Sequence, residues 1–161
     1  MQQGKRNLLA IRPSAMLSRN EEFMTYDNNN IFAKILRGEI PSHKVYEDEH
    51  TLAFMDVMPQ CDGHCLVIPK APSRGLLDTD AAVLAQVMPV VQKVARAAVA
   101  ATGADGFQVR QYNEPAGGQT VFHLHFHILP MKEGQSLRPH TGKIADHAVL
   151  AEQAKKIQAA L

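Results

Sequence analysis

GGQTVFHLHFHILP, residues 117–130, is the stretch that decides the fold, because hydrophobic residues alternate with histidine from Phe122 to Leu129. Successive side chains of a β-strand point to opposite faces, so this period of two predicts a strand with one buried face. The buried face would carry Phe122, Leu124, Phe126 and Ile128, and the other His123, His125 and His127. Same-face residues of a strand are about 7 Å apart. Core packing does not call for three imidazoles on one face, so the pattern indicates a functional site.

The segment before this strand, residues 113–120, is rich in turn-forming residues. Its paired glycines permit positive φ angles and a close approach of the backbone to a ligand, and such loops can aim several N–H groups at an anion. Thr120 adds a hydroxyl group and Gln119 an amide. An ordinary hairpin loop would have a similar sequence. However, residues 113–120 stand directly before three histidines, which favours a phosphate-binding loop.

The bulk composition fits one globular domain of 161 residues, of which 45% are hydrophobic. The formal net charge is +1, from 17 basic and 16 acidic side chains. Neither nucleic acid nor an anionic membrane is therefore indicated as a partner. No apolar run approaches the roughly 18 residues of a membrane span. The two cysteines, Cys61 and Cys65, indicate a reducing compartment, and we expect a cytoplasmic location.

Residues 1–24 differ from the rest of the chain, since the first 20 contain four basic residues and no acidic one. We interpret them as a flexible leader or an upstream start, with an organellar transit peptide as the alternative. Residues 25–161 are predicted to form a single domain.

Helix and strand signals then follow in a clear order. The asparagines at 28–30 offer an N-cap for a short helix over 31–37, and strands are predicted over 43–47, 51–56 and 64–69. A long helix is predicted over 79–102, with a kink or break at Pro89. Its buried stripe would comprise Leu84, Val87, Met88, Val91, Val94, Ala95 and Ala98.

A further strand over 107–112 precedes the histidine strand, and a final helix is predicted over 146–160. This order of elements predicts an α+β fold with one mixed or antiparallel sheet. His43, His50, His140 and His147 show no partner pattern and are interpreted as surface residues.

Two chemistries can use three histidines on one strand. A zinc site needs converging ligands, but same-face residues of a strand fan outward, and no acidic residue lies between 117 and 130. A second cluster of Cys61, His64 and Cys65 is disfavoured because adjacent strand residues point in opposite directions. In the other chemistry, a neutral imidazole attacks phosphorus while neighbouring histidines exchange protons with the leaving group. The second chemistry is favoured.

The residues 123–129, His-Leu-His-Phe-His-Ile-Leu, resemble the motif of the histidine triad family at every position. The motif is His-φ-His-φ-His-φ-φ, where φ is hydrophobic. The resemblance extends over residues 30–130, and it is strongest to the compact branch with nucleoside phosphoramidases and bacterial nucleotide-binding members. It implies an antiparallel sheet of about five strands per protomer, with a short N-terminal, a long central and a C-terminal helix.

The resemblance also implies catalytic roles. His125 would be the nucleophile that attacks the α-phosphorus of a nucleotide derivative and forms a nucleotidyl-histidine. His127 would contact the phosphate or the leaving group, and His123 would orient the triad. His64 resembles the fourth histidine of the family's active site. The phosphate would be held by Asn113, Gly118, Gln119 and Thr120.

The nucleoside pocket is implied in the same way. Asp56 matches the carboxylate that holds the ribose hydroxyl groups, and Val57 the residue beside the base. The walls would be Ile31, Phe32, Ile35 and Phe54. Without the family, Ile31, Phe32 and Ile35 would be interpreted as core residues, and Asp56 as an acidic residue of a turn.

Two departures from the family pattern matter. Some bacterial members carry a Cys-x-x-Cys pair that helps to bind a structural zinc, but the corresponding positions here are Asn30 and Ala33. No metal and no cofactor are therefore expected. The loop at 113–120 is one residue shorter than in animal phosphoramidases, which leaves the identity of the leaving group open.

The resemblance predicts a homodimer and a hydrolase or transferase that acts on purine nucleotide derivatives of the AMP or GMP type. The expected reaction cleaves nucleoside 5′-phosphoramidates or related nucleotidyl compounds to the nucleoside monophosphate. Three alternatives stay open: a dinucleoside polyphosphate hydrolase, a nucleotide-sensing or scaffold protein without turnover, and a metal-dependent hydrolase.

Overall fold

The predicted α+β fold is confirmed by the computed structural model, which describes residues 25–139 and 143–161. The three helices are α1 (Ile31–Leu36), α2 (Ala81–Thr102) and α3 (His147–Gln158). The strands are β1 (Lys44–Glu47), β2 (Thr51–Met55), β3 (Cys65–Pro69), β4 (Gly106–Arg110) and β5 (Phe126–Met131). They form one antiparallel sheet in the order β1-β2-β3-β5-β4. The predicted leader and His140 lie outside the described residues.

The two faces of the sheet carry different clusters of apolar residues. Ala53, Val67 and Ile128 belong to the larger core cluster, together with the buried side chains of α2 and α3. Phe54 and Leu66 face the other way and pack with Phe32 of α1. In the ladder Leu66 pairs with both Phe54 and His127. This alternation places His127 on the α1 face, with the smaller cluster.

The short helix α1 begins where the asparagines predicted it would. The side-chain oxygen of Asn30 accepts hydrogen bonds from the backbone N–H groups of Phe32 and Ala33, at 3.0 Å each. An asparagine at this position satisfies donors that a helix start otherwise leaves unpaired. The cap fixes the orientation of Phe32, which packs beneath the histidines.

The long helix α2 is continuous through Pro89, so of the two predicted alternatives the break into two helices is wrong, and the kink stays a prediction. A proline removes one helical hydrogen bond, and here the buried residues on both sides of it, Val87, Val90 and Val91, anchor the helix on the sheet. The predicted stripe is also wrong at Met88, which is 45% exposed. By length and composition α2 could cross a membrane, contrary to the expectation that no run approaches that length. One of its faces packs on the sheet, as in an ordinary core helix.

The histidine strand is shorter than predicted. It begins at Phe126, so only His127 lies on it, while His123 and His125 lie in the irregular segment that leads into it. Phe122 is not in the core: it is half-buried, with the Arg74 guanidinium 4.0 Å from its ring centroid. A strict period of two therefore extended beyond the region where strand pairing exists.

The two edges of the sheet differ. The β1 edge is covered by α3, whose Gln158 donates a 2.8 Å hydrogen bond to the Lys44 carbonyl. His43 and His147 lie at the surface, as predicted, and are hydrogen-bonded to each other across this junction at 2.9 Å, a pairing that the sequence pattern did not predict. The β4 edge exposes Phe107 by 51% and Val109 by 42%.

Candidate active site

All four predicted histidines lie together on the α1 side of the sheet and are almost completely buried. His64 precedes β3 and hydrogen-bonds His127 of β5, with 2.9 Å between Nε2 and Nδ1. The rings of His125 and His127 are 5.0 Å apart between centroids. The Phe32 ring meets the His125 ring edge-on at 5.1 Å. The adjacent strands β3 and β5 thus bring together residues that are distant in sequence.

The protonated nitrogen of His125 follows from its hydrogen bond. Nδ1 lies 2.6 Å from the backbone carbonyl oxygen of His123, and a carbonyl can only accept. Nδ1 of His125 must therefore carry the proton. In the neutral imidazole the lone pair then resides on Nε2, which makes Nε2 the nucleophilic nitrogen.

The same argument assigns His64 and His127. The backbone N–H of Gln60 donates to Nδ1 of His64 at 3.1 Å, so neutral His64 carries its proton on Nε2. That proton is donated to Nδ1 of His127. Neutral His127 consequently holds its own proton on Nε2, from which it can donate a hydrogen bond to a leaving group.

His123 is held between two partners. Its Nε2 donates to the Pro69 carbonyl at 2.8 Å, and the hydroxyl group of Tyr26 donates to its Nδ1 at 2.5 Å. Burial lowers the pKa of His123 from 6.5 to about 4. His123 is therefore neutral at physiological pH, as this arrangement of donors requires.

Asp56, His64 and His127 form a buried group whose potential metal-ligating atoms lie within 4.8 Å of one another. An Asp56 carboxylate oxygen lies 3.6 Å from Nε2 of His64 and 4.0 Å from Nδ1 of His127. A metal bound to Nε2 of His64 would force the proton of that ring onto Nδ1. Nδ1 would then be a donor facing the N–H of Gln60, which is also a donor. Metal-binding histidines normally direct the other nitrogen at an acceptor. The group therefore suits proton exchange better than metal binding.

The predicted nucleoside residues surround this cluster on one side. Phe32 and Phe54 are buried and meet edge-on, with ring centroids 5.5 Å apart. Ile35 packs against the smaller apolar cluster to which both belong. Ile31 is 47% and Val57 38% exposed, so neither is a core residue. Small-molecule sites combine predominantly apolar side chains with a small number of placed polar groups.

The predicted phosphate loop contains a short 3₁₀ turn at Pro115–Gly117. The N–H groups of Gly117 and Gln119 donate to the Glu114 carbonyl, and that of Gly118 to Pro115, so these donors are used within the loop. Gly118 has a φ of +89°, which favours glycine. Thr120 is exposed. The phosphate contacts of this loop stay a prediction.

The side chains of Asn113 and Gln119 hold the loop in place. The side-chain oxygen Oδ1 of Asn113 accepts a hydrogen bond from the backbone N–H of Leu76 at 2.8 Å. Gln119 is buried; its amide nitrogen donates to the carbonyls of Arg74 and Val121, and its oxygen accepts from the N–H of Glu114. Their hydrogen bonds thus fix the shape of the loop.

Arg74 and Tyr26 are among the residues next to the site that the sequence patterns missed. Arg74 makes a two-pronged ion pair with Glu114, at 2.7 and 2.8 Å, and this hydrogen bonding lowers the pKa of Glu114. Glu114 has a φ of +56°, a strained value for a residue with a side chain. Both Arg74 and Tyr26 lie far from their partners in sequence, so no spacing rule could have found them.

Two cavities, of about 490 and 460 Å³, lie away from the histidines. The larger is lined by Cys61, Thr102 and Arg138 among others, and the smaller by Met58, Ile144 and Val149 among others. Neither contains any of the four histidines. The candidate site is nevertheless at the hydrogen-bonded histidines, because these residues can act as a nucleophile and exchange protons, and cavity volume alone indicates neither property.

Comparisons with known proteins identify the family of this chain. A family model described as "HIT domain" matches residues 37–134. Adenylylsulfatase HINT3 of Arabidopsis thaliana is 40% identical over 133 residues, which cover 79% of this chain and 68% of that protein. Adenosine 5′-monophosphoramidase HNT1 of Saccharomyces cerevisiae is 37% identical over 112 residues, 70% of this chain and 68% of that one.

A solved structure is more similar still. It is a Hit-like protein involved in cell-cycle regulation from Bartonella henselae, with 57% identity and a TM-score of 0.82, and the match covers 84% of this chain and 98% of that one. The fold and the histidine cluster define a histidine triad protein. This chain belongs to the HIT family, as its motif predicted.

Proposed function

We propose that this protein is a nucleotide hydrolase or transferase that cleaves nucleoside 5′-phosphoramidates or related nucleotidyl compounds. The observation that carries the proposal is the hydrogen bond from Nδ1 of His125 to the His123 carbonyl. It keeps the lone pair on Nε2 whenever His125 is neutral. Two relatives support this choice of substrates by their names. One is an adenylylsulfatase, named for a sulfate bond of the adenylyl group, and the other is an adenosine 5′-monophosphoramidase, named for a nitrogen bond.

The proposed reaction has two steps. Nε2 of His125 attacks the α-phosphorus and the bond to the leaving group breaks, while the Nε2–H of His127 donates a hydrogen bond to the leaving nitrogen or oxygen, which takes its proton from solvent. Water then attacks the phosphorus, the bond to Nε2 of His125 breaks, the nucleoside monophosphate is released and the proton of the water returns to solvent. His64 holds His127 in this orientation through Nδ1.

Binding is assigned to the residues around this centre. Asp56 would accept hydrogen bonds from the ribose hydroxyl groups, and a purine base would lie against the exposed apolar side chains of Ile31 and Val57. The proposed reaction uses no metal. The hydrogen bond from the N–H of Gln60 to Nδ1 of His64 supports this, because it disfavours metal binding by the His64–His127 pair.

The first experiment compares substrates with the wild-type protein in a metal chelator. We expect AMP release from adenosine 5′-phosphoramidate or adenylyl sulfate to continue unchanged when the chelator is added. Turnover of diadenosine polyphosphates alone would support the alternative hydrolase. Tight AMP binding without any turnover would support a sensing role, and activity abolished by the chelator would contradict the metal-free mechanism.

We also propose that the protein is a homodimer that pairs through β4. Within residues 25–139 and 143–161 no element covers this edge strand, unlike β1, and open edges with apolar residues favour pairing with another chain. Val109 pairs with the core residue Ile128, so Val109 and Phe107 face the same side of the sheet as α2. Met88 of α2 is also exposed.

Replacement of Val109 by lysine is expected to convert the dimer into a monomer, because a charge would have to be buried in the interface. Sedimentation velocity or light scattering gives the mass. Val149→Lys is the matched control, since Val149 is 50% exposed but lies on α3. A wild-type protein that is monomeric, or a Val109→Lys variant that stays dimeric, contradicts this interface.

A further inference from the structure

Tyr26 lies outside residues 37–134, which the HIT family model matches, yet it contacts the first histidine of the motif. Its hydroxyl oxygen is 2.5 Å from Nδ1 of His123, and the two rings meet edge-on with centroids 5.5 Å apart. A residue beyond the family's common region is therefore part of the hydrogen bonding at the candidate site.

The direction of this hydrogen bond follows from the other nitrogen of His123. Nε2 must donate, because its partner is the Pro69 carbonyl. Nδ1 of the neutral ring then has no hydrogen, so the tyrosine hydroxyl is the donor. Burial raises the pKa of Tyr26 above its usual value, which keeps this donor protonated.

The position of His123 matters because of its carbonyl, which fixes the proton of His125 on Nδ1. His123 and His125 precede the first residue of β5, so no strand ladder holds the backbone at this point. The segment is tied instead by the Leu124 N–H, which donates to Ser73, and by the two hydrogen bonds of the His123 ring. Side-chain anchors here take the place of sheet pairing.

Tyr26 is itself held in place from both sides. The Thr25 carbonyl accepts from Arg74 at 3.4 Å. The Asp27 carbonyl accepts from the N–H and the side-chain amide of Asn30, the residue that caps α1. The tyrosine is thus connected to α1 and to the arginine that holds the 113–120 loop.

We propose that Tyr26 is a positioning residue for His125, acting through the ring and backbone of His123. This inference rests on the proposed function, because it assigns Tyr26 to the same reaction. The tyrosine does not touch the reacting atoms. The Tyr26 hydroxyl and the Pro69 carbonyl together hold the His123 ring. The ring in turn fixes the backbone carbonyl of His123, which selects the nucleophilic nitrogen of His125.

The test is Tyr26→Phe, which removes one hydroxyl group and keeps the ring. We expect kcat to fall by roughly 10- to 100-fold, the range expected when a catalytic group is misplaced by a fraction of an ångström to 1 Å. KM should change by no more than about twofold, because Tyr26 is not assigned a ligand contact. Tyr46→Phe is the matched control: Tyr46 donates to Asp48 at the other end of the sheet, and its loss should leave kcat unchanged.

Nitrogen-15 NMR of the imidazole rings provides a readout independent of activity. The wild-type protein should show His125 protonated on Nδ1 and His123 on Nε2, and Tyr26→Phe should shift His125 toward a mixture of both forms. His125 signals and kcat that are unchanged in a folded Tyr26→Phe protein would overturn the inference. If the wild type lacks turnover, the proposed function fails, while the NMR comparison still decides the positioning role.

Discussion

His125→Ala is expected to lower kcat by at least about 10³-fold, because removing a nucleophile removes the covalent route itself. The affinity for AMP should stay within a few-fold of wild type, since the ribose and base contacts are assigned to other residues. The measurement is AMP release from adenosine 5′-phosphoramidate under chelating conditions, with AMP binding determined by calorimetry. This pair of results separates loss of chemistry from loss of binding.

The matched control for this variant is His50→Ala. The His50 side chain is 46% exposed in the turn between β1 and β2, where the backbone N–H of His50 donates to the Asp48 carboxylate. The control should retain full activity. Near-normal turnover by His125→Ala would remove His125 from the role of nucleophile and direct attention to His127 or to a water molecule activated by the histidines.

The sequence motif predicted the family, the five-stranded sheet and the gathering of the four histidines. This was possible because the alternation at residues 123–129 has no common packing explanation. The motif did not predict where β5 begins. Alternation continues through Phe122, but strand pairing ends at Phe126, and Phe122 packs under Arg74 instead of in the core.

Long-range contacts explain the other differences. Pro89 breaks a helix by local rules, but burial of Val87, Val90 and Val91 on the sheet keeps α2 continuous. His43 and His147 are separated by 104 positions, and only the docking of α3 at the edge of β1 brings them together. Tyr26 likewise has no motif, since its partner is 97 residues away. Such contacts depend on tertiary packing, which a local pattern does not encode.

Acidification is expected to destabilise the protein through His123. Its pKa is lowered from 6.5 to about 4 by burial, so the folded state resists protonation more than the unfolded state does. The stability that the neutral ring contributes is fully present above pH 6.5 and is lost as the pH falls from 6.5 toward 4. The lowering corresponds to about 3 kcal/mol in the free energy of unfolding, an order-of-magnitude value.

The measurement is urea unfolding of the wild type and of His123→Asn at pH 7.5 and at pH 4.5. Asparagine cannot gain a proton in this range, and its side-chain oxygen can accept from Tyr26 as Nδ1 of the histidine does. We expect the variant to be less stable at pH 7.5 but to lose about 2 to 3 kcal/mol less on acidification. The carboxylates titrate in both proteins, so the difference between the two pH dependences isolates His123. Parallel losses would show that the pKa of His123 is not lowered in the folded state. The neutral His123 ring, and with it the assignment of the Tyr26 hydroxyl as the donor, would then lose its basis.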